Sequence, residues 1–210
     1  MHKAKKKTIS TYHKKNHTKM SNNASKYSAE DEQTSKVSAR SKSVLLYSAA
    51  FLLAELMMLF ILKANHFYPF GTKSMLIMDM RDQNVEFLAS LRSMIHGDNS
   101  LFFSWARSMG GNYMGVFAFY ISSPLSFLTL LFPVSKMPVA IEIITVLKIG
   151  LCSLTFVIYA NYLRRKYNGQ RYFALLLPAI GYAFMSYTMV YSLSIMWLDG
   201  VIFLPLVLLG

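Results

Sequence analysis

Residues 43–63, "SVLLYSAAFLLAELMMLFILK", constrain this chain more than any other feature. A helix rises 1.5 Å per residue, so the segment reaches about 30 Å, the thickness of a bilayer's hydrocarbon core. Its one interior charge is Glu55. Only 15% of the 210 residues are charged and 54% are hydrophobic, whereas soluble domains carry about a quarter charged residues. The expected fold class is therefore an all-α polytopic membrane protein.

Charge orients the first crossing. Residues 1–42 hold eleven Lys and Arg against three acids, most of the +12 excess. Almost devoid of Leu, Ile, Val and Phe, this tail cannot build a core and is expected to be disordered. The charged region is too long for a secretory signal, and no small-residue cleavage site follows the apolar run. By the positive-inside rule the tail is cytoplasmic, leaving residues 43–63 as a signal anchor in the cell membrane. No nucleic-acid motif or aromatic interleaving accompanies the basic residues, so no nucleic-acid partner is expected.

Residues 64–138 then form an external loop with interfacial or re-entrant helices. Within it, "VFAFYISSPLSFLTLLFP" is interrupted at Ser122, Ser123 and Pro124. A full crossing there would place Arg164, Arg165, Lys166 and Arg171 outside, against the rule. The second crossing is therefore expected at 139–163, with a basic cytoplasmic loop at 164–171. A third follows at 172–192, an external turn at 193–199 and the start of a fourth at 200–210. That last piece covers about 15 Å, so the chain reads as the N-terminal fragment of a larger membrane protein.

Two charges fall inside spans, Glu55 and Lys148. Their depths, roughly 10 and 13 Å from the outer helix ends, predict a structural ion pair between them. Cys152, the single cysteine, excludes an internal disulfide and reads as a small buried thiol.

The external loop opens with "MLIMDMRDQNVEF", where Asp79, Arg81, Asp82 and Glu86 crowd together. Val85, Phe87, Leu88, Leu91, Met94 and Ile95 share one stripe, which predicts an amphipathic helix on the outer leaflet, ended by Gly97. Asp82 suits its N-cap, whereas Asp79 lies too early for capping to explain it. Gly110, Gly111 and Gly115 around Asn112 allow tight turns or close ligand approach. Trp197 suits the interfacial belt beside Asp199, and Tyr113 and Tyr120 read as interfacial anchors. His66 shows no partner and reads as a surface residue.

The motifs "YPFG", "SMLIMDMRDQNVEFLASLR", "MGGNYMGVFAFYISSPLSFLTLLFP" and "MWLDGVIFLPLVLLG" occur in an order that resembles the YfhO family of bacterial multispanning membrane proteins. The resemblance covers roughly residues 68–210. It departs after Gln83, where an aromatic residue is usual and this chain has Asn84. It implies a GT-C-like transmembrane helix bundle whose external loop carries amphipathic juxtamembrane helices. Such an enzyme takes a sugar from a polyprenyl-phosphate carrier and attaches it to an outer-face acceptor, for Gram-positive relatives a teichoic acid, particularly lipoteichoic acid. The acidic residue that such enzymes place in the first external loop corresponds to Asp79.

The chemistry suits this assignment. An acceptor hydroxyl attacking an anomeric carbon must lose its proton, and a carboxylate within hydrogen-bond reach accepts it. The departing lipid phosphate needs positive charge from Lys73, Arg81 or Arg107, or from a divalent metal held by acids. Asp79 is the candidate base. Asp82, Arg81, Lys73, Asn112, Trp197 and Asp199 are candidate substrate-binding residues, with Glu86 a weaker candidate. Two other readings stay open: a transporter or flippase of lipid-linked saccharides gated by Glu55 and Lys148, and a non-catalytic scaffold for envelope assembly.

Overall fold

A computed structural model describes residues 37–97, 100–105, 109–167, 169 and 171–210. Most of the basic tail and Arg107 lie outside the described residues. Two compact units divide at Leu45/Leu46, and everything below concerns Leu46–Gly210 except the start of the first helix.

That helix, α1 (Val37–Ala64), is long and apolar enough to cross a membrane. It starts six residues before the expected span, because Ala39, Arg40 and Lys42 are good helix formers and extending an existing helix is easy. The second candidate span, Val134–Lys166, contains α4 (Met137–Lys166). Far more of α4's apolar window is buried than of α1's, 61% against 22%. It is the central helix.

Small residues let the two approach. Ala50 and Ala54 of α1 are fully buried, and the Ser153 hydroxyl donates to the Ala50 carbonyl at 3.0 Å. A Cβ on Gly150 would lie 2.8 Å from the Phe51 ring and 2.9 Å from Glu55 Cγ. Close backbone approach through small residues is how helices associate without a hydrophobic drive between them.

The segment that follows α1 packs on the N-terminal end of α4. A π-helical turn, Met80–Asn84, leads into α2 (Val85–Ile95). The stripe of α2 faces protein: Leu88 and Leu91 are buried beside Met137, Ala140, Ile141 and Ile144 of α4, and only Ile95 stands exposed. Gly97 ends the helix with φ +87°, as glycine there permits.

Two-residue strands β1 (Phe103–Ser104) and β2 (Gly111–Asn112) pair antiparallel. Gly110, at φ +97°, has no room for a Cβ against Phe103. Beyond them α3 (Tyr113–Val116) runs into a π turn (Phe117–Ile121), and a 3₁₀ helix follows at Pro124–Leu131. The two halves bend by 98°, so the interrupted stretch is no straight crossing. Arg92 Nη1 donates to the carbonyls of Leu130 and Phe132 at 2.8 and 3.0 Å, satisfying the end of the 3₁₀ helix.

The stretch expected as a third continuous span is broken. A 3₁₀ turn, Phe173–Leu175, precedes α5 (Leu176–Ala183), and α6 (Ser186–Tyr191) restarts after an extended Met185. The last helix, α7 (Trp197–Val207), contains Pro205. Proline has no N–H, so the carbonyl four residues earlier, Val201, loses its helical partner. Tyr182 of α5 replaces it, donating its hydroxyl to that carbonyl at 2.7 Å. Cys152 is fully buried in the cluster joining α1, α4, α5 and α7.

Candidate active site

The loop after α1 is a tight return. Lys73 N–H donates to the His66 carbonyl at 3.1 Å and Tyr68 N–H to the Lys73 carbonyl at 2.8 Å, across a cis Tyr68–Pro69 bond. Gly71 sits against the His66 backbone, with no room for a Cβ. Lys73 and His66 are both exposed. Met75 and Leu76 then bury, and Met78, at φ +49°, turns the chain so that Asp79 faces out while Met80 is fully buried.

The π turn that follows accommodates one more residue than an α turn, a feature frequent at functional sites. It turns Met80 and Asn84 inward and Arg81 and Asp82 outward. Asn84 is 2% exposed, and its Nδ2 has no partner among the described residues. Asp82 is not the N-cap of α2. It lies within the π turn, 2.8 Å from Arg81 Nε, and both side chains are largely exposed. Hydrogen bonding and charge from Asp82 push the Arg81 pKa up.

Asp79 sits at the start of this turn and makes no capping bond. One of its oxygens accepts from Gln83 Nε2 at 3.1 Å. Gln83 Oε1 in turn accepts from the Tyr120 hydroxyl at 3.1 Å. The donor at Oε1 fixes the amide's orientation, so its NH₂ end faces Asp79. Tyr120 also packs on Phe87 of α2, ring centroids 4.7 Å apart. Tyr113 is no interfacial anchor: it is buried, with its hydroxyl 2.6 Å from Ser90 Oγ. Gln83 and Tyr120 were not picked out as partners of Asp79 from sequence, although Gln83's spacing of four residues from Asp79 is the ordinary signal for a helical side-chain pair.

A second polar cluster corrects the expected ion pair. Lys148 does not pair with Glu55. Its ammonium donates to Asp199, both carboxylate oxygens lying at 2.9 Å, and to the Ile195 carbonyl at 2.9 Å. Ser123, at the bend, donates to Asp199 at 3.1 Å. Lys148 lies about 16 Å along α4 from Met137, so Asp199 sits beside the body of that helix and not at its end. Asp199 thus serves the buried lysine. The bent segment is tied to α2 and the π turn through Tyr120 and to α4 and α7 through Ser123.

Glu55 instead lines a cavity of about 310 Å³ with Glu142, Tyr68 and Pro69. Glu142 is 6% exposed and accepts from the Met75 amide. Leu59, Leu62, Val139 and Ile143 add to the lining around the two glutamates, and Lys148 is not part of it. Asn112 caps α3, its Oδ1 accepting from Met114 N–H at 2.9 Å. Trp197 is exposed and stacks on Tyr191 at 5.1 Å. Glu86 is exposed. Among the described residues no three His, Cys, Asp or Glu side chains group as metal ligands.

Residues 49–210 match the family model described as bacterial membrane protein YfhO. No curated protein and no solved structure matches the chain.

Proposed function

This chain belongs to the YfhO family of bacterial membrane proteins, and on that premise we propose that it is a GT-C-type glycosyltransferase of the cell envelope. It moves a sugar from a polyprenyl-phosphate donor to lipoteichoic or wall teichoic acid on the outer face. The N-terminus is cytoplasmic and the chain crosses the membrane several times.

The observation that carries this reading is Asp79, an exposed carboxylate with no capping role, held by Gln83. In the reaction the anomeric carbon loses its bond to the lipid phosphate and gains one to the acceptor oxygen. The hydroxyl proton passes to Asp79, the general base. Gln83 holds one carboxylate oxygen, which leaves the other for the acceptor. Lys73 is the exposed cation for the departing phosphate; Arg81 is the weaker choice, since Asp82 already engages it.

The test uses the full-length protein in a strain lacking its own copy, with sugar quantified on extracted lipoteichoic and wall teichoic acid. Wild type, Asp79→Asn and Glu55→Gln are compared at matched membrane levels. Asp79→Asn should lower transfer by about 10²–10⁴-fold, the worth of a positioned base, while Glu55→Gln leaves it intact. Full glycosylation by Asp79→Asn overturns the reading. A loss confined to Glu55→Gln points to the transporter instead.

A further inference from the structure

Two cavities near opposite ends of α4 carry opposite charge. The one near Met137 holds the carboxylates of Glu55 and Glu142 and no cation. The other, about 590 Å³, lies where α4 ends and the chain turns toward α5. Arg164, Tyr167, Gly169 and Arg171 form its polar part, Leu163 and Leu175 its apolar wall, and no acid lines it.

Arg164 is held in place. Its Nε donates to Asn161 Oδ1 at 3.1 Å and its Nη1 to the Gly169 carbonyl at 3.0 Å. The guanidinium lies 4.7 Å from the centre of the Tyr172 ring. Asn161 is itself fixed, donating to Tyr47 at 2.8 Å. Those bonds engage two of the five guanidinium N–H groups. Gly169 makes the arrangement possible: its N–H donates to the Arg164 carbonyl at 2.8 Å, and a Cβ there would lie 3.0 Å from Arg164 Cγ. The loop and the arginine clamp one another.

Because α4 is long and apolar enough to cross a membrane, Arg164 in its last turn reaches headgroup depth when the helix spans. Arg171 follows five residues beyond the helix end, and Leu163 and Leu175 supply the apolar wall. A ligand complementary to this arrangement has an anionic head and an apolar tail. Guanidinium groups match phosphate oxygens in a fork, and basic pockets between membrane helices recognise lipid phosphates. We propose that this cavity binds a diacyl anionic phospholipid, its phosphate on Arg164 and Arg171 and an acyl chain against Leu163 and Leu175. The site is independent of the transferase reading.

The full chain is reconstituted in phosphatidylcholine nanodiscs containing rising fractions of phosphatidylglycerol, and its thermal midpoint is followed. A saturable rise is expected. Charge-assisted phosphate bonds are worth about a factor of ten or more in affinity, so Arg171→Gln and Arg164→Gln should each shift the titration about tenfold. Lys166→Gln removes the same charge outside the lining, and general surface attraction limits its effect to about fivefold. Equal shifts for Lys166→Gln and Arg171→Gln would overturn the site in favour of surface attraction. Soluble glycerol 3-phosphate stabilising as well as the lipid would also overturn it, as a site for free anions. If Arg164→Gln fails to fold, Arg171→Gln decides, since Arg171 is exposed at the rim.

Discussion

The Lys148–Asp199 pair makes an asymmetric prediction. The lysine side chain is 1% exposed and the aspartate 22%. Asp199→Leu leaves a fully buried ammonium with the neutral Ile195 carbonyl as its remaining acceptor. Removing one partner of a buried pair costs about 3–5 kcal/mol, and this substitution should reach that range. Lys148→Met leaves a carboxylate that still accepts from Ser123 and keeps part of its surface open. Its cost should be about 1–3 kcal/mol, the range for an under-satisfied polar group. Replacing both, Lys148→Met with Asp199→Leu, removes both desolvation penalties and should return stability to within about 1 kcal/mol of wild type. The assay is reversible unfolding of the full chain in mixed micelles, titrated with a denaturing detergent. The reasoning fails if Lys148→Met is the costlier single change, or if the double variant loses the sum of the two.

Two further outcomes are expected by the same assay. Tyr182→Phe removes the donor to the carbonyl that Pro205 leaves open and should cost about 1–3 kcal/mol; in a Pro205→Ala background the restored amide takes that carbonyl, and the same change should cost under about 0.5 kcal/mol. Asn84→Leu replaces a buried amide whose Nδ2 has no partner among the described residues by an apolar group of similar shape and should stabilise by about 1 kcal/mol; a loss of stability would show that the amide is satisfied in the membrane-bound protein.

The two candidate spans were legible because their lengths and hydropathy speak for themselves. The interruption at Ser122–Pro124 was legible too, since proline and paired serines break an apolar run. The break at Met185 was not: no proline or glycine occupies Phe184–Ser186, and apolar side chains continue across it. The partner of Lys148 was hidden for a related reason. A helix buried on most sides has no single apolar stripe to say which neighbour faces the lysine, so depth alone was left, and depth favoured the wrong acid. The π turn lies in the backbone's hydrogen-bond register, which side chains do not announce. Asp79 stands out in the sequence as a carboxylate that capping does not explain, but its connection to Tyr120 through Gln83 required the fold.

Lys148 also bears on how the protein is made. Asp199 lies 51 residues further along the chain, so α4 leaves the ribosome well before its counter-charge exists. A lone lysine at the middle of an inserting helix costs about 2.5–3.5 kcal/mol. That cost persists until the Asp199 carboxylate reaches the lysine. A chain that stops before Asp199 leaves that lysine without its counter-charge.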